Sequence, residues 1–173
     1  MAYKDTVLPE FDMEMDNTRR TLERVPDDKF SWQPHAKSGT LGWMAGHIAN
    51  LPMWAVMTMN QDSLDLAPPS GSAPTMPKPS NRKELLEIFD KNRADARAAL
   101  AAADDAAYAK PWALLMGEKE LFREPRGAVL RRMVLNHLIH HRGQLTMYLR
   151  LLNIPVPGLY GPSADDMNLQ PPK

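Results

Sequence analysis

Four stretches of the chain carry apolar residues at steps of three and four, and none sustains the period-two alternation of β-branched residues that marks a half-buried strand. In the first, Leu8, Phe11, Met15, Thr18, Leu22 and Val25 form one face between charged residues. Asp5 or Thr6 stands where a helix cap is needed, Pro9 suits an early helical position, and Pro26-Asp27-Asp28 ends the run. The second helix is expected to begin between Ser38 and Thr40 and to turn Trp43, Met44, His47, Leu51, Trp54 and Ala55 inward. Pro52 removes a backbone donor and crowds the carbonyl of Ile48, which predicts a kink there. A third helix runs from about Ser80 to Ala103, capped by Ser80 or Asn81, with Leu85, Leu86, Ile88, Phe89 and Leu100 as its apolar positions. The fourth, from about Arg126 to Asn153, is the longest and most apolar.

The connections complete the expected topology. Residues 61–79 are rich in proline, serine and glycine, and a connection of that length within a compact domain is a crossover, a lid or a disordered stretch. As a crossover it lets the second and third helices run parallel. Trp112 to Pro125 reads as an irregular link, and the chain from about residue 154 to Lys173 as a proline-rich tail. The expectation is a single domain over residues 1–173, all-α, a four-helix bundle with a long crossover between the second and third helices.

Composition narrows what such a fold can do. The 21 basic and 21 acidic residues leave no formal net charge, so no net field draws the chain to nucleic acid or to an anionic membrane, and a small-molecule substrate is the expected partner. There is no cysteine, which removes disulfides, thiolate ligands and a cysteine nucleophile together, so any metal site must use nitrogen and oxygen. Residues 1–14 carry Lys4, Asp5, Glu10, Asp12 and Glu14 and lack the apolar centre of a secretion signal, which makes a cytoplasmic location the expectation. Leu41 to Asn60 is uncharged and about long enough to span a bilayer. Its glycines, His47, Asn50, Pro52 and Thr58 dilute the hydrophobicity, so a buried core helix is the better reading.

Candidate chemistry lies on the second and fourth helices. His137 and His141 are four residues apart, so their rings point to one side of a helix, one turn from each other. On spacing alone a packed or capping histidine is the commoner outcome. Phase adds to it: at about 100° per residue from His137, the residues Leu130, Val134, Leu145, Tyr148 and Leu152 project at roughly 20° to 80°, and His141 at about 40°. Both imidazoles therefore project into the apolar stripe, where a metal would satisfy rings that are otherwise costly to bury. His47 is in phase with the stripe of its own helix, either as a satisfied core histidine or as a third ligand. Three such rings leave a position open for water or substrate, which suits catalysis. His140, at about −60°, lies on the flank of the stripe and reads as a structural residue or a support to the ligands rather than a ligand itself, while Gln144, at about −20°, borders the pocket and either holds a metal-bound water, orients a ligand or simply packs. Arg142 projects at about 140°, which predicts a surface or inter-helix ion pair. Leu135 and Ile139 form a second apolar strip, to be covered by a dimer partner or by the tail. The glutamate that follows the first histidine in metalloproteases is absent, as are phosphate loops and a serine nucleophile elbow.

The segment Asn136-His137-Leu138-Ile139-His140-His141-Arg142-Gly143-Gln144-Leu145, followed by Tyr148-Leu149-Arg150, resembles the last helix of the DinB/YfiT-like superfamily. The likeness extends to Leu41–Leu51 around His47, to Phe30-Ser31-Trp32-Gln33-Pro34 and to Pro155-Val156-Pro157-Gly158-Leu159-Tyr160-Gly161-Pro162-Ser163. It implies a helical bundle that holds a divalent metal, commonly nickel or zinc, through one histidine of the second helix and two of the fourth, which here are His47, His137 and His141. It also implies frequent homodimers. Relatives of known activity include thiol-dependent S-transferases and isomerases, which implies a low-molecular-weight thiol as a further cofactor. The leading expectation is a metal-dependent enzyme of thiol S-transferase or hydrolase type acting on a small molecule. The alternative is a non-catalytic metal-binding or stress-response protein.

Overall fold

Helix α1, Tyr3–Leu22, buries Val7, Phe11, Met15, Thr18 and Leu22 along one face of the computed structural model, in which residues 2–69, 71 and 75–167 are described. Its start is fastened by neither expected cap: Ala2 precedes the helix, and the Asp5 carboxylate in the first turn accepts the Ala2 backbone N–H at 3.0 Å. The backbone leaves the helix at Leu22, before Pro26 is reached.

Helix α2, Leu41–Asn50, begins where Thr40 accepts the Trp43 N–H at 3.1 Å, which satisfies one of the donors left open at a helix start. The preceding segment adds two more anchors, since the carbonyls of Trp32 and Phe30 accept the N–H groups of Leu41 (2.7 Å) and Gly42 (2.9 Å). Pro52 does more than kink the helix: it divides it, and α3, Met53–Asn60, follows as a separate element. The uncharged stretch is therefore two short helices, and among the described residues no helix is long and apolar enough to cross a membrane.

The connection from α3 contains a short strand, β1, Ser63–Asp65, before α4, Arg82–Ala102. Asn81 caps α4 by accepting the Glu84 N–H at 2.9 Å, while the Glu84 carboxylate accepts both the backbone N–H and the hydroxyl of Ser80 at 2.8 Å. A five-residue helix, α5, Asp105–Ala109, leads into β2, Pro111–Met116, and β3, Lys119–Pro125. The fourth helical stretch has three parts: α6, Arg126–Val129, a π-helical segment, Leu130–Asn136, and α7, His137–Leu151.

The all-α four-helix bundle expected from the sequence is overturned, because the chain is mixed α/β. Its sheet has the order β1-β2-β3, with β1 parallel and β3 antiparallel to β2. The supposed irregular link at 112–125 is the β2–β3 hairpin, turned at Gly117 with φ of +61°, a backbone region that glycine enters without steric cost. Within β2 the successive residues Trp112, Ala113 and Leu114 are all buried, so both faces of the strand are covered and no alternation is left to read. The sheet and α3 close a small core of Met57, Leu64, Trp112, Leu114 and Val129. The larger core lies among the helices, where α1 and α2 each pack on both α4 and α7. Arg126 joins the two regions: its guanidinium donates to the carbonyls of Met59 (2.8 Å) and Gln61 (2.9 Å) at the end of α3 and to Asp62 (2.8 Å).

Arg142 takes the second of its two expected places, an inter-helix ion pair. It is 1% exposed and turned toward α1, where it donates to the Glu14 carboxylate at 2.6 Å, the Glu14 carbonyl at 2.9 Å and the Thr18 hydroxyl at 3.1 Å. The stripe expected on this helix took in Tyr148 and Leu152, which are only half-buried, and left out Leu138 and Leu149, which are fully buried. Within α7 the buried residues are Leu138, Arg142, Leu145 and Leu149, and their arc is centred near Arg142 rather than near the histidines. Leu135 is buried in its own chain, so the second apolar strip is no longer an argument for a partner.

The tail is tied down at both ends of its described part. The Tyr160 hydroxyl donates to the Glu14 carboxylate at 2.9 Å and accepts from Arg142. Asp165 pairs with Arg150 and accepts the Val156 N–H, which together hold its carboxyl down to about 2. Asp166 accepts the N–H groups of Gly158 and Ser163 at 2.9 Å. Residues 168–173 of the expected tail, like 70 and 72–74 of the crossover, lie outside the described residues.

A buried ion pair is costly to break singly, because the remaining charge is left without water or partner. Replacing Glu14 or Arg142 alone by alanine is expected to lower unfolding free energy by about 3–5 kcal/mol in urea titrations, whereas Glu14→Leu with Arg142→Met costs much less. Equal losses in the single and double variants contradict this.

Candidate metal centre

The three histidines singled out by spacing and phase meet at one point. One nitrogen from each of His47, His137 and His141 lies within 4.8 Å of the other two. Nε2 of His47 and Nε2 of His137 are 3.3 Å apart, and the ring centroids of the three are separated by 4.7 to 5.0 Å. Without an ion, the close Nε2 pair is an N–H···N hydrogen bond. The same separation is what a tetrahedral ion demands, since zinc–nitrogen bonds of about 2.0–2.1 Å place two ligand nitrogens roughly 3.3–3.4 Å apart. The donor set therefore fits a divalent metal in both number and spacing.

Helix rotation sets where the point lies. On α2 the buried side is Leu41, Met44, Ala45, Ile48 and Ala49, and His47 stands at its rim. On α7, His137 and His141 stand at the rim of the arc centred near Arg142, and all three histidines are half-buried. The expectation that they point into the core is corrected to this: they line the edge of the α2–α7 contact, and the site is open to solvent on one side. Trp43, also expected inside, is 56% exposed and lies face to face with His47, at 5.3 Å between centroids and 4° between planes.

The electrostatics keep nitrogen lone pairs free. Burial, and then the neighbouring charges of His141 and His137, push His47 down to about 4 from its ordinary 6.5. His137 is lowered by burial and by His141, against a hydrogen bond to the Met133 carbonyl that favours its charged form. That carbonyl belongs to the π-helical segment, and the backbone N–H of His137 bonds instead to Val134. The π geometry thus stands directly before His137, one of the three histidines that could hold a metal, and π segments are frequent at functional sites. Near neutral pH both rings are uncharged, the form that binds metal.

Gln144 bonds to the ring of His141. Its Oε1 accepts from Nδ1 of His141 at 2.7 Å, which leaves Nε2 of that ring as the ligand atom and fixes its orientation. His140 is exposed and packs edge-on to His141 at 5.0 Å, outside the convergent set. Two features escaped the sequence reading. Beside His47 a cavity of about 470 Å³ opens between α2 and residues 76–79, and the buried Asn50 holds its outer wall by donating to the Pro77 carbonyl at 2.9 Å. Asn50 was visible as one of few polar residues in the uncharged stretch, three places after His47. Nothing in the sequence paired it with residue 77.

Residues 10–145 match the sequence family described as the DinB superfamily. The chain is 25% identical over 172 residues to YrdA of Bacillus subtilis (strain 168), a protein described as uncharacterized, and the match covers 98% of this chain and 96% of that one. A solved DinB-like protein of Bacillus cereus ATCC 10987 is similar in fold, with a TM-score of 0.67 at 23% identity over 88% of this chain and 95% of that chain. The DinB-like protein YjoA of Bacillus subtilis gives a TM-score of 0.64 at 17% identity over 86% of this chain and 94% of that chain. These two structural likenesses speak for the fold.

Alanine at His47, His137 or His141 is expected to remove most bound metal from protein purified without a histidine tag, as read by elemental mass spectrometry, whereas His140→Ala keeps it. Gln144→Ala is expected to weaken affinity about ten-fold, the low end for an outer hydrogen-bond partner, because the residue is exposed. Full metal retention in His141→Ala contradicts the assignment.

Proposed function

This chain belongs to the DinB superfamily, and from that premise we propose that it is a divalent-metal-dependent enzyme acting on a small molecule, of thiol S-transferase or hydrolase type. The observation that carries the proposal is the convergence of three half-buried imidazoles on one point beside a cavity of small-molecule size. A purely structural ion would be expected inside a closed shell of four protein ligands, whereas three ligands at a solvent-facing rim leave coordination free.

The all-nitrogen donor set suits nickel or zinc. A divalent ion held there supplies Lewis acidity, lowering the pKa of a thiol or a water molecule toward neutrality. The protein's own contribution is positional. His47 and His137 stay uncharged, Gln144 fixes the ring of His141, and Trp43 covers the face of His47. The chain has no cysteine, so a sulfur nucleophile has to arrive as a soluble low-molecular-weight thiol. With water in its place the reaction is hydrolysis.

One observation favours the second reading, a non-catalytic metal-binding protein: among the described residues that line the cavity there is no carboxylate to act as acid or base. A homodimer remains part of the proposal. Met147 and Leu151, each 60% exposed and one turn apart on α7, are two of the exposed apolar side chains that it could cover.

Metal-loaded, metal-stripped and His141→Ala protein are to be compared with a panel of thiols and one electrophile, and separately with ester and amide substrates. The expected result is one reaction that falls by about 100-fold or more on stripping and in the variant, because Lewis-acid stabilisation supplies several kcal/mol. If no reaction depends on the metal, the binding-protein reading replaces the enzyme.

A further inference from the structure

The cavity beside His47 has a composition that points to a kind of ligand. Its floor is the backbone of α2 at Gly42 and Gly46, and its outer wall is the strap of residues 76–79. The strap lies close because Gly46 lacks a side chain, since a Cβ there would stand 2.9 Å from the Pro79 ring. Asn50 holds the strap in that position. It is 5% exposed, and its amide donates to the Gly46 carbonyl at 2.8 Å and the Pro77 carbonyl at 2.9 Å, so both of its hydrogens are used in joining strap to helix. The slot between is lined chiefly by apolar groups, with the exposed indole of Trp43 at one side. The lining residue with a permanent charge is Lys78, which is exposed and has no carboxylate partner among the described residues. Of the three histidines, His47 alone lines the slot, so a molecule seated there reaches the metal centre from one end.

We propose that the slot between α2 and the 76–79 strap is the binding site for the reaction's second substrate, a flat apolar small molecule bearing one anionic group, with its body against Trp43 and its anion at Lys78. This rests on the reading of the histidines as the reaction centre and adds the substrate class to it. A volume of about 470 Å³ is in the range of small-molecule sites, and a lining with the flat ring of Trp43 at one side and Pro77 and Pro79 in the strap favours a planar body over a globular one. An anion gains from the unpaired ammonium, whereas a cation meets Lys78 and finds no carboxylate in the lining.

The test uses 2-naphthoate and its neutral counterpart 2-naphthylmethanol, titrated calorimetrically into metal-stripped protein so that a carboxylate cannot bind through the ion. Metal stoichiometry is measured separately on the loaded samples. Naphthoate is expected to bind wild type about three- to five-fold more tightly than the alcohol, the range of an exposed ion pair, and Lys78→Met is expected to abolish that difference while leaving the alcohol unchanged. Trp43→Ala and Gly46→Val, the latter pushing the strap outward, are expected to weaken both probes about ten-fold. Should Gly46→Val fail to fold by circular dichroism, Gly46→Ala and Lys78→Met carry the test. Equal affinity of wild type for the two probes overturns the anionic class, and unchanged binding by Trp43→Ala and the Gly46 variant overturns the site. Protein that binds naphthoate as expected but never retains metal contradicts the metal-centre reading alone. Protein that retains metal and binds neither probe contradicts this proposal alone.

Discussion

The orientation of α7 depends on one buried guanidinium. Arg142 follows His141 directly in the chain, so the direction of one side chain sets that of the other, about 100° around the helix. By bonding to the carboxylate and carbonyl of Glu14, the hydroxyl of Thr18 and the hydroxyl of Tyr160, Arg142 fixes the face that α7 turns to α1. What remains for His137 and His141 is the side toward α2, where His47 stands. A buried ion pair is a poor source of net stability, because desolvating both charges offsets most of their attraction. Here its value is registry: a leucine at 142 would be as well buried, but would tolerate a range of rotations that the four hydrogen bonds exclude.

The second constraint is the anchoring of α2. Thr40, together with the carbonyls of Phe30 and Trp32, satisfies three N–H groups of the first turn, and the Trp32 ring meets Tyr148 of α7 edge-on at 5.8 Å. The segment that precedes α2 therefore fixes both the start of that helix and its distance from α7. With the two helices set in this way, three imidazoles are brought closer together than their protonation would allow, and burial holds His47 and His137 in the neutral form. Fold energy is thus used to present free lone pairs at the edge of the core, where solvent has access.

Much of this could be read from the chain. The second helix was expected to start between Ser38 and Thr40 and the third at Ser80 or Asn81, and Thr40 and Asn81 are the residues that accept the first-turn N–H groups. The three histidines were identified by spacing and phase, and they converge. The sheet was not legible, because a strand covered on both faces, as at Trp112-Ala113-Leu114, has no alternation, and because the pairing of β1 with β2 joins residues about fifty apart. Arg142 was expected in a surface or an inter-helix ion pair, and the inter-helix pair with Glu14 is the one that forms. The histidines were placed too deep because the apolar stripe was drawn through the half-buried Tyr148 and Leu152 and not through Leu138 and Leu149. Charge type alone gave no sign that Glu14, more than a hundred residues earlier, would meet that arginine.

The central claim is that His47, His137 and His141 hold one divalent ion and leave part of its coordination open. X-ray absorption spectroscopy of tag-free protein, at the absorption edge of whichever metal co-purifies, addresses it most directly, because imidazole rings scatter in a way that allows them to be counted. The account predicts about one equivalent of metal with three imidazole nitrogens at roughly 2.0–2.1 Å and at least one further light-atom ligand that exchanges when a small thiol is added. Stoichiometric metal with one imidazole or none, or a coordination shell unchanged by any added ligand, would contradict it.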